Sequence, residues 1–309
     1  MLRRRSIIGV ALVWLPWWFL LLPASANDAL VFASWNVRNY VLTPPVDREG
    51  TPLLAPKTKK SVQAVVQTLA AISPDIVGLC EMGSLSDLTD LQERLKKAGV
   101  DLPHRAWVDG ADQVRHLALL SRFPLKPPQH DTESSFTINR ISHRVQRGFL
   151  DSTAVIRPNF HLRILGAHLK SPRIVPAFDP VLFRRQESLV LRGRVENILT
   201  KNPEASLILF GDLNDKKNSP VLRSLLGRPG SESALTNLTL PDQGGDHWTY
   251  YWDETDQYSR IDYILVSGRL RSLINKKKSR IHRTANWMEA SDHRPLVVTI
   301  HIPSPDTKP

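Results

Sequence analysis

Residues 207–215, which read Leu-Ile-Leu-Phe-Gly-Asp-Leu-Asn-Asp, indicate most clearly how this chain folds. Four apolar residues followed by glycine and polar turn formers are typical of a strand that is buried on both faces and ends at a sheet edge. Ligand sites of layered α/β proteins lie at such strand ends, so Asp212, Asn214 and Asp215 are candidate ligands. These residue types are also common in turns, so the segment alone supports a plain turn equally well.

The same arrangement, an apolar run that ends on a polar side chain, recurs along the chain. Residues 30–35 lead to Asn36, residues 75–80 lead to Glu81, and a later run leads to His168. An unpaired buried carboxylate is costly, so Glu81 is expected to face a cation or a cleft. A lone histidine is more often structural than catalytic, so His168 counts as a candidate only if its neighbours converge on it.

Further polar side chains lie beside the last predicted strands. Asp262 lies in the apolar segment 261–266, and Asp292 and His293 precede the strand predicted at 296–302. An acid inside a strand needs a partner, and a histidine is a natural one. Carboxylate and amide oxygens suit Mg²⁺, Mn²⁺ or Ca²⁺. Zinc is disfavoured, because the chain has neither a His-Glu-x-x-His motif nor a cysteine pair.

Helical patterns alternate with these strands. Periodic apolar residues predict a helix from Lys59 that stops before Pro74, and Ser86 is a candidate cap for a second helix. Residues 184–199 are the longest predicted helix, with a basic, solvated face, and Ser219-Pro220 begins a short one. Strands interleaved with helices predict a layered α/β sandwich.

The first 26 residues have the pattern of a secretory signal peptide. Three arginines precede an apolar run at 7–22, which Pro16 interrupts, and Ala24-Ser25-Ala26 follows as a cleavage site. The run is short for a membrane span, so cleavage after Ala26 and export to the periplasm or the exterior are expected rather than anchoring. The arginines also loosely fit a twin-arginine signal, which leaves the export route open. One domain, residues 27–309, would remain.

The amino-acid composition indicates which classes of partner the protein favours. The 309 residues include 41 Lys and Arg against 30 Asp and Glu, a formal net charge of +11, and removing three signal arginines leaves +8. This surplus favours polyanions such as nucleic acid, anionic lipid or the bacterial envelope. Cys80, the single cysteine, excludes an internal disulfide and is expected to be a buried thiol. No stable protein partner is inferred, and a monomer is expected.

Six segments, in chain order, carry a family resemblance. They are Trp35-Asn36, residues 75–81, Gly166-Ala167-His168-Leu169, Gly211-Asp212-Leu213-Asn214, Arg260-Ile261-Asp262-Tyr263 and Ser291-Asp292-His293. Together they resemble the endonuclease/exonuclease/phosphatase superfamily of DNase-like phosphodiesterases. The resemblance implies an α/β four-layer sandwich, in which two packed mixed β-sheets are flanked by helices.

The resemblance also implies a metal site. Glu81 would bind the ion with Asn36 beside it, and Asp292 would be a second metal or histidine partner. The implied cofactor is Mg²⁺ or Mn²⁺, with Ca²⁺ as an alternative. A cation bound to the charged oxygens of a phosphodiester would stabilise their charge during in-line attack by water.

The remaining matched residues are implied to act on water and phosphate. Asp212 would orient or deprotonate the attacking water, and Asn214 would hold a phosphate oxygen. His293, braced by Asp262, would stabilise the phosphate, while His168 would assist there or at the leaving group. A serine hydrolase is disfavoured, because no Gly-x-Ser-x-Gly motif is present.

The substrate is less narrowly defined by the sequence. Lys276, Lys277, Lys278 and Arg280 favour a nucleic-acid strand held through its phosphates, although charge runs are often merely solvated. The aromatic residues at 248–252 could stack bases, contact lipid headgroups or pack within a loop. We predict an exported metal-dependent phosphodiesterase, first an endonuclease acting on DNA or RNA. A sphingomyelinase-type phospholipid-headgroup phosphodiesterase is the alternative, and a non-catalytic binding protein is a third reading.

Overall fold

The structure, a computed structural model, describes residues 28–304, so the predicted signal peptide lies outside the described residues. Six strands form the larger sheet: β1 (Ala29–Tyr40), β2 (Ile76–Met82), β3 (His104–Val108), β4 (His116–Ser121), β14 (Ile274–Ile281) and β15 (Leu296–His301). Their spatial order is β14-β15-β1-β2-β4-β3. Within this sheet β1 and β2 run parallel, and the other neighbours are antiparallel.

Five strands form the second sheet: β7 (Leu150–Arg157), β8 (Phe160–His168), β9 (Leu207–Asp212), β10 (Leu235–Asn237) and β13 (Asp262–Ser267). Their order is β10-β13-β9-β8-β7, and β8 and β9 are the parallel pair. Two hairpins complete the strands: β5 (Ser135–Ile138) with β6 (Ile141–Arg144), and β11 (Tyr250–Trp252) with β12 (Gln257–Ser259).

Helices cover the outer faces of both sheets. They are α1 (Lys59–Ile72), α2 (Leu85–Lys97), α3 (Pro180–Lys201), α4 (Pro220–Leu226), α5 (Gly268–Arg271) and α6 (Trp287–Ala290). One apolar core fills the space between the sheets, a second lies under α1 and α2, and a third lies under α3 and α4. The predicted four-layer α/β sandwich is therefore confirmed. No helix in residues 28–304 combines the length and the apolar character needed to cross a membrane.

The ring of Phe210, on β9, packs in the core between the two sheets. A Cβ atom at Gly78 of β2 would lie 2.3 Å from its ring, and one at Gly166 of β8 would lie 2.7 Å from it. Phe32 of β1 packs against the same ring, with 5.8 Å between the centroids. Glycine on two strands thus makes room for one large side chain, which brings the ends of β2 and β9 close together.

The helix ends follow the local sequence closely. As predicted, α1 stops before Pro74, with Ser73 in the left-handed conformation, and Ser219 caps α4. The cap of α2 is Ser84, so the prediction of Ser86 was wrong. Ser84 and Asp87 form a reciprocal capping box, in which each side chain accepts a hydrogen bond from the other's backbone N–H. The acid at the third helical position decides between the two serines.

The predicted solvated basic face of α3 is also wrong in part, because three of its arginines have fixed partners. Arg184 is buried and pairs with Asp215 at 3.4 Å. Arg192 is buried and donates hydrogen bonds to Glu196 and to the Ser233 hydroxyl, while Arg194 pairs with Asp151 at 2.7 Å. Their partners include residues far away in the chain, so the sequence of the helix alone did not reveal them.

Candidate active site

Polar side chains from both sheets meet at one edge of the sandwich. Asn36 lies on β1 and Glu81 on β2, while His168 and Asp212 end the parallel pair β8 and β9. The strand register places His168 beside Asp212 and places Asp262, at the start of antiparallel β13, beside Asp212 on its other side. Side chains that are far apart in sequence are therefore neighbours because of the strand pairing.

Asn36 connects the acids of the two sheets. Its Nδ2 donates hydrogen bonds to Glu81 Oε1 at 3.2 Å and to Asp212 Oδ2 at 3.1 Å. The backbone N–H of Arg38 donates to Asn36 Oδ1 at 3.0 Å, which fixes the orientation of the amide. The backbone N–H of Asn39 donates to Glu81 Oε2 at 3.0 Å. One neutral amide thus lies between two carboxylates.

The backbone around these acids is unusual. Arg38, Asn39, Glu81 and Asn214 have φ values of 46°, 49°, 62° and 50°, in the left-handed region that side chains other than glycine rarely adopt. Such a conformation costs about 1–3 kcal/mol per residue and is characteristic of functional sites. Here it aims the N–H groups of Arg38 and Asn39 at the side chains of Asn36 and Glu81.

His293 and Asp262 form the hydrogen bond that the sequence predicts for the strand acid. Nδ1 of His293 lies 2.8 Å from Asp262 Oδ2, and both residues are buried. Burial lowers the pKa of His293, but the nearby acids, first Asp262 and then Asp212 and Asp292, outweigh it and raise the pKa to about 10. Trp35 Nε1 donates to the His293 carbonyl at 2.9 Å, and the ring of Tyr250 lies 4.7 Å away. The imidazole is therefore held in place as a cation at neutral pH.

Asp212 lies at the centre of the cluster. Its Oδ1 accepts the Asn214 backbone N–H at 2.9 Å, and its Oδ2 lies 3.8 Å from Nε2 of His293. Burial and the charge of Asp262 raise the pKa of Asp212 to about 7. A carboxyl group with this pKa gains and loses a proton near neutral pH.

His168 contacts the same acids in a different state from His293. Its Nε2 lies 3.5 Å from Asp212 Oδ2 and 3.9 Å from Glu81 Oε1. Burial, together with nearby cations such as Arg147, lowers its pKa well below the usual range, so the ring is neutral. Its Nδ1 is buried and lacks a hydrogen-bond partner within residues 28–304. The cluster thus combines one cationic and one neutral imidazole.

Asn214 and Asp215 follow β9 but face different neighbours. Asn214 Nδ2 donates to the Leu169 carbonyl at 2.9 Å, which leaves one N–H of the amide for another acceptor. Asp215 instead pairs with Arg184 of α3 at 3.4 Å. Of these two candidates, Asn214 therefore belongs to the cluster, whereas Asp215 forms an ion pair with α3 outside it.

The donor chemistry fits a hard divalent cation. Asp212, Asp262 and His293 each offer a ligand atom, and these atoms lie within 4.8 Å of one another. His293 is, however, held protonated beside Asp262, and a protonated imidazole has no lone pair to offer a cation, so this histidine is a poor ligand. The carboxylates of Glu81 and Asp212 share the single amide donor of Asn36 and leave negative charge for a cation to neutralise. Such oxygen donors suit Mg²⁺ or Mn²⁺.

Asp292 lies at the rim of this cluster. Its Oδ1 lies 3.9 Å from Nε2 of His293, and its Oδ2 lies 3.5 Å from Nε of Arg38. Its position, close to the cationic histidine and to a partly exposed arginine, is compatible with either predicted use, as a ligand or as a histidine partner.

Sequence reasoning missed two arginines at this edge, and it placed Tyr250 only within the aromatic segment 248–252, without its contact to His293. Nε of Arg115 lies 3.9 Å from Glu81 Oε2, Arg38 reaches Asp292, and Tyr250 packs on His293. Arg115 directly precedes β4, which pairs with β2 beside Glu81. That pairing would have identified Arg115, but the sequence does not specify which strands are neighbours.

The predicted basic cluster lies elsewhere. Lys276, Lys277 and Lys278 are exposed and Arg280 is half-buried on β14, an outermost strand of the larger sheet. The register of β14 with β15 shifts in this stretch, so the lysines lie on an irregular edge. Since β15 separates β14 from β1, the structure does not bring these cations into the strand-end cluster.

Comparisons with known proteins agree with this architecture. TDP2 from Caenorhabditis elegans, in a truncated form, is 18% identical, covers 88% of this chain and 98% of its own, and has a TM-score of 0.62. Beta toxin from Staphylococcus aureus is 16% identical over 87% of this chain and 99% of its own (TM-score 0.61). The human Nocturnin catalytic domain with bound sulfate is 17% identical over 88% and 94% (TM-score 0.59). At these identities, the likeness shows a common fold.

No curated protein sequence matches the chain. The sequence pattern described as the Endonuclease/Exonuclease/phosphatase family matches residues 33–293, which include every strand-end residue described above. The chain therefore belongs to the endonuclease/exonuclease/phosphatase family of divalent-metal-dependent phosphoester hydrolases.

Proposed function

We propose that the protein is an exported, metal-dependent phosphodiesterase that cleaves DNA or RNA as an endonuclease. The observation that carries this proposal is the arrangement around Asp212. A carboxyl group with a pKa of about 7 lies 3.8 Å from an imidazole that Asp262 keeps protonated. A base and a fixed cation side by side are what water attack on a phosphodiester requires.

Asp212 acts as the general base. Its Oδ2 accepts the proton of the attacking water, since its pKa near 7 balances proton affinity against availability of the ionised form at neutral pH. Asn36 and the backbone N–H of Asn214 hold the two carboxylate oxygens, so the base does not rotate away.

The phosphate is bound by donors that are already fixed. His293 donates its Nε2–H to a non-bridging oxygen, because its Nδ1–H is committed to Asp262. Asn214 offers the amide N–H that Leu169 does not use. His168, which is neutral, donates from Nε2 near the departing alkoxide. These groups need no rearrangement as charge develops in the transition state.

Glu81 and Asn36 would hold the divalent cation, with Asp292 as a further ligand. When bound, it neutralises charge on the phosphate oxygens and lowers the pKa of water in its coordination shell. Mg²⁺ or Mn²⁺ fits these oxygen donors best, and Ca²⁺ is the alternative.

A nucleic-acid substrate is supported by charge. Without the three arginines of the predicted signal peptide the chain carries a formal net charge of +8, and Arg38 and Arg115 lie beside Asp292 and Glu81. Polyanions gain affinity from each phosphate that such cations neutralise. Export of the mature chain, residues 27–309, would place this activity in the periplasm or outside the cell.

One observation favours a phospholipid-headgroup phosphodiesterase as the second candidate. The hairpin of β11 and β12 is adjacent to His293 through Tyr250, and it exposes 42% of Trp252 and 56% of Tyr258. Exposed Trp and Tyr side chains are the residues that lie at the headgroup level of a lipid surface.

One comparison of substrates tests the proposal. Purified residues 27–309 are expected to nick supercoiled plasmid DNA with Mg²⁺ or Mn²⁺ and to stop when chelator is added. The same preparation, with the same metals, is assayed on sphingomyelin vesicles. Lipid turnover without DNA cleavage would replace the nuclease with the second candidate, and the absence of any metal-dependent turnover would favour a binding protein.

A further inference from the structure

Lys170 follows the end of β8, two residues beyond His168. The backbone N–H of Leu169 donates to the Asp212 carbonyl at 3.0 Å, so the chain continues the β8–β9 pairing past His168. Side chains two residues apart in an extended segment project to the same face, about 6.6 Å from each other. This geometry directs the Lys170 side chain toward the face of His168, and the charge of Lys170 contributes to the lowered pKa of that histidine.

The charge of Lys170 is poorly compensated for a buried residue. The residue exposes 6% of its surface, and within residues 28–304 its ammonium has one hydrogen-bond acceptor, Ser171 Oγ at 3.4 Å. The charged groups that act most strongly on its pKa are Arg147, Arg184 and Arg173 and one acid, Glu187. Both carboxylate oxygens of Glu187 accept backbone N–H groups, from Gln146 and from Lys170 itself. The ammonium has three N–H donors, so donors remain for another acceptor.

The backbone around Lys170 is fixed from several directions. Arg184 Nη1 donates to the Lys170 carbonyl at 2.8 Å, and Arg147 Nη1 donates to the carbonyls of Leu169 and His168 at 3.0 and 3.3 Å. Arg147 is itself paired with Asp112, and Arg184 with Asp215. The two arginines thus form ion pairs with acids, whereas the Lys170 ammonium forms none with the acids of residues 28–304, and Glu187 acts on it only from a greater distance.

We propose that Lys170 binds the phosphate next to the scissile phosphate, so that the preferred substrate carries at least two successive phosphodiesters. This inference rests on the proposed function and narrows it to a polynucleotide. A phosphocholine headgroup has one phosphate, and a quaternary ammonium would be repelled by this cation. Lys170 is accordingly a substrate-binding residue that contributes to specificity, outside the group that performs the reaction.

Binding without turnover tests the proposal directly. Metal-free protein in chelator is titrated by calorimetry with a thymidine trinucleotide, which has two phosphodiesters, and with the dinucleoside monophosphate, which has one. Wild type is expected to bind the trinucleotide about tenfold more tightly than the dinucleoside monophosphate, because one hydrogen bond to a charged group contributes about that much. Lys170→Met and Lys170→Gln should abolish this preference, and Lys170→Arg should keep most of it. Circular dichroism checks that each variant is folded.

Lys201→Met is the matched control, because Lys201 is an exposed lysine at the opposite end of α3. It should retain the trinucleotide preference. Equal affinity of wild type for the two ligands, or an unchanged preference in both neutral variants, would overturn the proposal. Failure of the nuclease proposal is separate: it would appear as absent plasmid nicking with Mg²⁺ in wild type, whatever the calorimetry shows.

Discussion

The strand-end cluster and the basic segment on β14 are both rich in charge, yet they are built in opposite ways. In the cluster, Asp212, Asp262 and His293 are buried and each has a partner at a defined distance. On β14, Lys276 to Lys278 are exposed on an irregular edge. Buried charges interact strongly and shift one another's pKa, whereas exposed charges are screened by water and salt.

The position of an acid at a strand end was therefore better evidence for a functional site than charge density along the sequence. The position of an acid at the end of a buried strand identified residues that the fold brings together. Charge density alone identified a segment two strands away from them. The comparison predicts large, non-additive effects of substitution in the cluster and small, additive effects on β14.

The largest effect is expected for the pair of Asp262 and His293. Asp262→Asn removes the charge that keeps His293 protonated, and His293→Ala removes the cation itself. Each should slow turnover on the order of 10³-fold with the fold intact, as for other catalytic groups that act together. The double variant should be scarcely slower than the poorer single variant. Steady-state turnover of a phosphodiester by all three proteins and wild type gives the result.

Circular dichroism and metal binding are the controls for this cycle, because neither substitution removes a proposed metal ligand. If the two losses multiply instead of overlapping, the residues act independently. The hydrogen bond of 2.8 Å between them would then be structural only.

The second-largest effect is expected for Glu81, which Asn36 separates from Asp212. Glu81→Gln keeps the size of the side chain but removes the negative charge that a cation would neutralise. We expect the Mg²⁺ concentration for half-maximal activity to rise about 10- to 100-fold or more, by analogy with lost metal-site contacts. Calorimetric titration with Mn²⁺ measures the same loss without turnover.

Glu289→Gln is the matched control, since Glu289 is an acid near the same edge that is already paired with Lys60 at 2.7 Å. It should leave metal activation unchanged. An unaltered Mg²⁺ requirement in Glu81→Gln would place the cation elsewhere, first of all among Asp212, Asp262 and His293.

The sequence predicted what depends on local periodicity and on strand ends. The buried strand at 207–212, the helix ending before Pro74 and the buried thiol of Cys80 are all confirmed. The strand-end candidates do converge, because an apolar run that stops at a polar residue marks a sheet edge wherever it occurs in the chain.

The sequence did not predict features that depend on distant partners. The arginines of α3 were expected in solvent, but acids on other elements pair with them: Asp215 with buried Arg184, and Asp151 with half-buried Arg194. The short strands β3, β5 and β6 lack a long periodic pattern, and pairing with a neighbour defines them. Arg115 reaches Glu81 through the pairing of β2 with β4, which no local pattern encodes.

A buried acid behind the site should have a smaller effect, on stability. Burial raises the pKa of Glu187 to about 7, although its backbone hydrogen bonds oppose this. Because the folded pKa exceeds the unfolded value, the folded protein binds more protons between about pH 4.5 and 7, so stability falls as pH rises through this range. Glu187→Gln, which resembles the protonated acid, should lack this loss.

Urea unfolding at several pH values measures the free energy of unfolding of wild type and of Glu187→Gln. The other titrating groups are common to both proteins, so their contributions cancel in the difference between the two free energies. The two proteins should be similarly stable near pH 4.5, and the variant should be more stable by on the order of 3 kcal/mol above pH 7. A difference that does not vary with pH would mean that folding leaves the pKa of Glu187 unchanged.

The smallest effect is expected for the exposed cations of β14. If Lys276, Lys277, Lys278 and Arg280 contact phosphates, replacing all four with glutamine should weaken DNA binding. It should also lower the slope of log affinity against log salt by about one for each lost contact. Turnover of a small phosphodiester without a nucleic-acid chain should stay unchanged, since the segment lies outside the strand-end cluster. A salt slope equal to that of wild type would show that these side chains are solvated surface charges, and the basic character of the cleft would then rest on Arg38, Arg115 and Lys170.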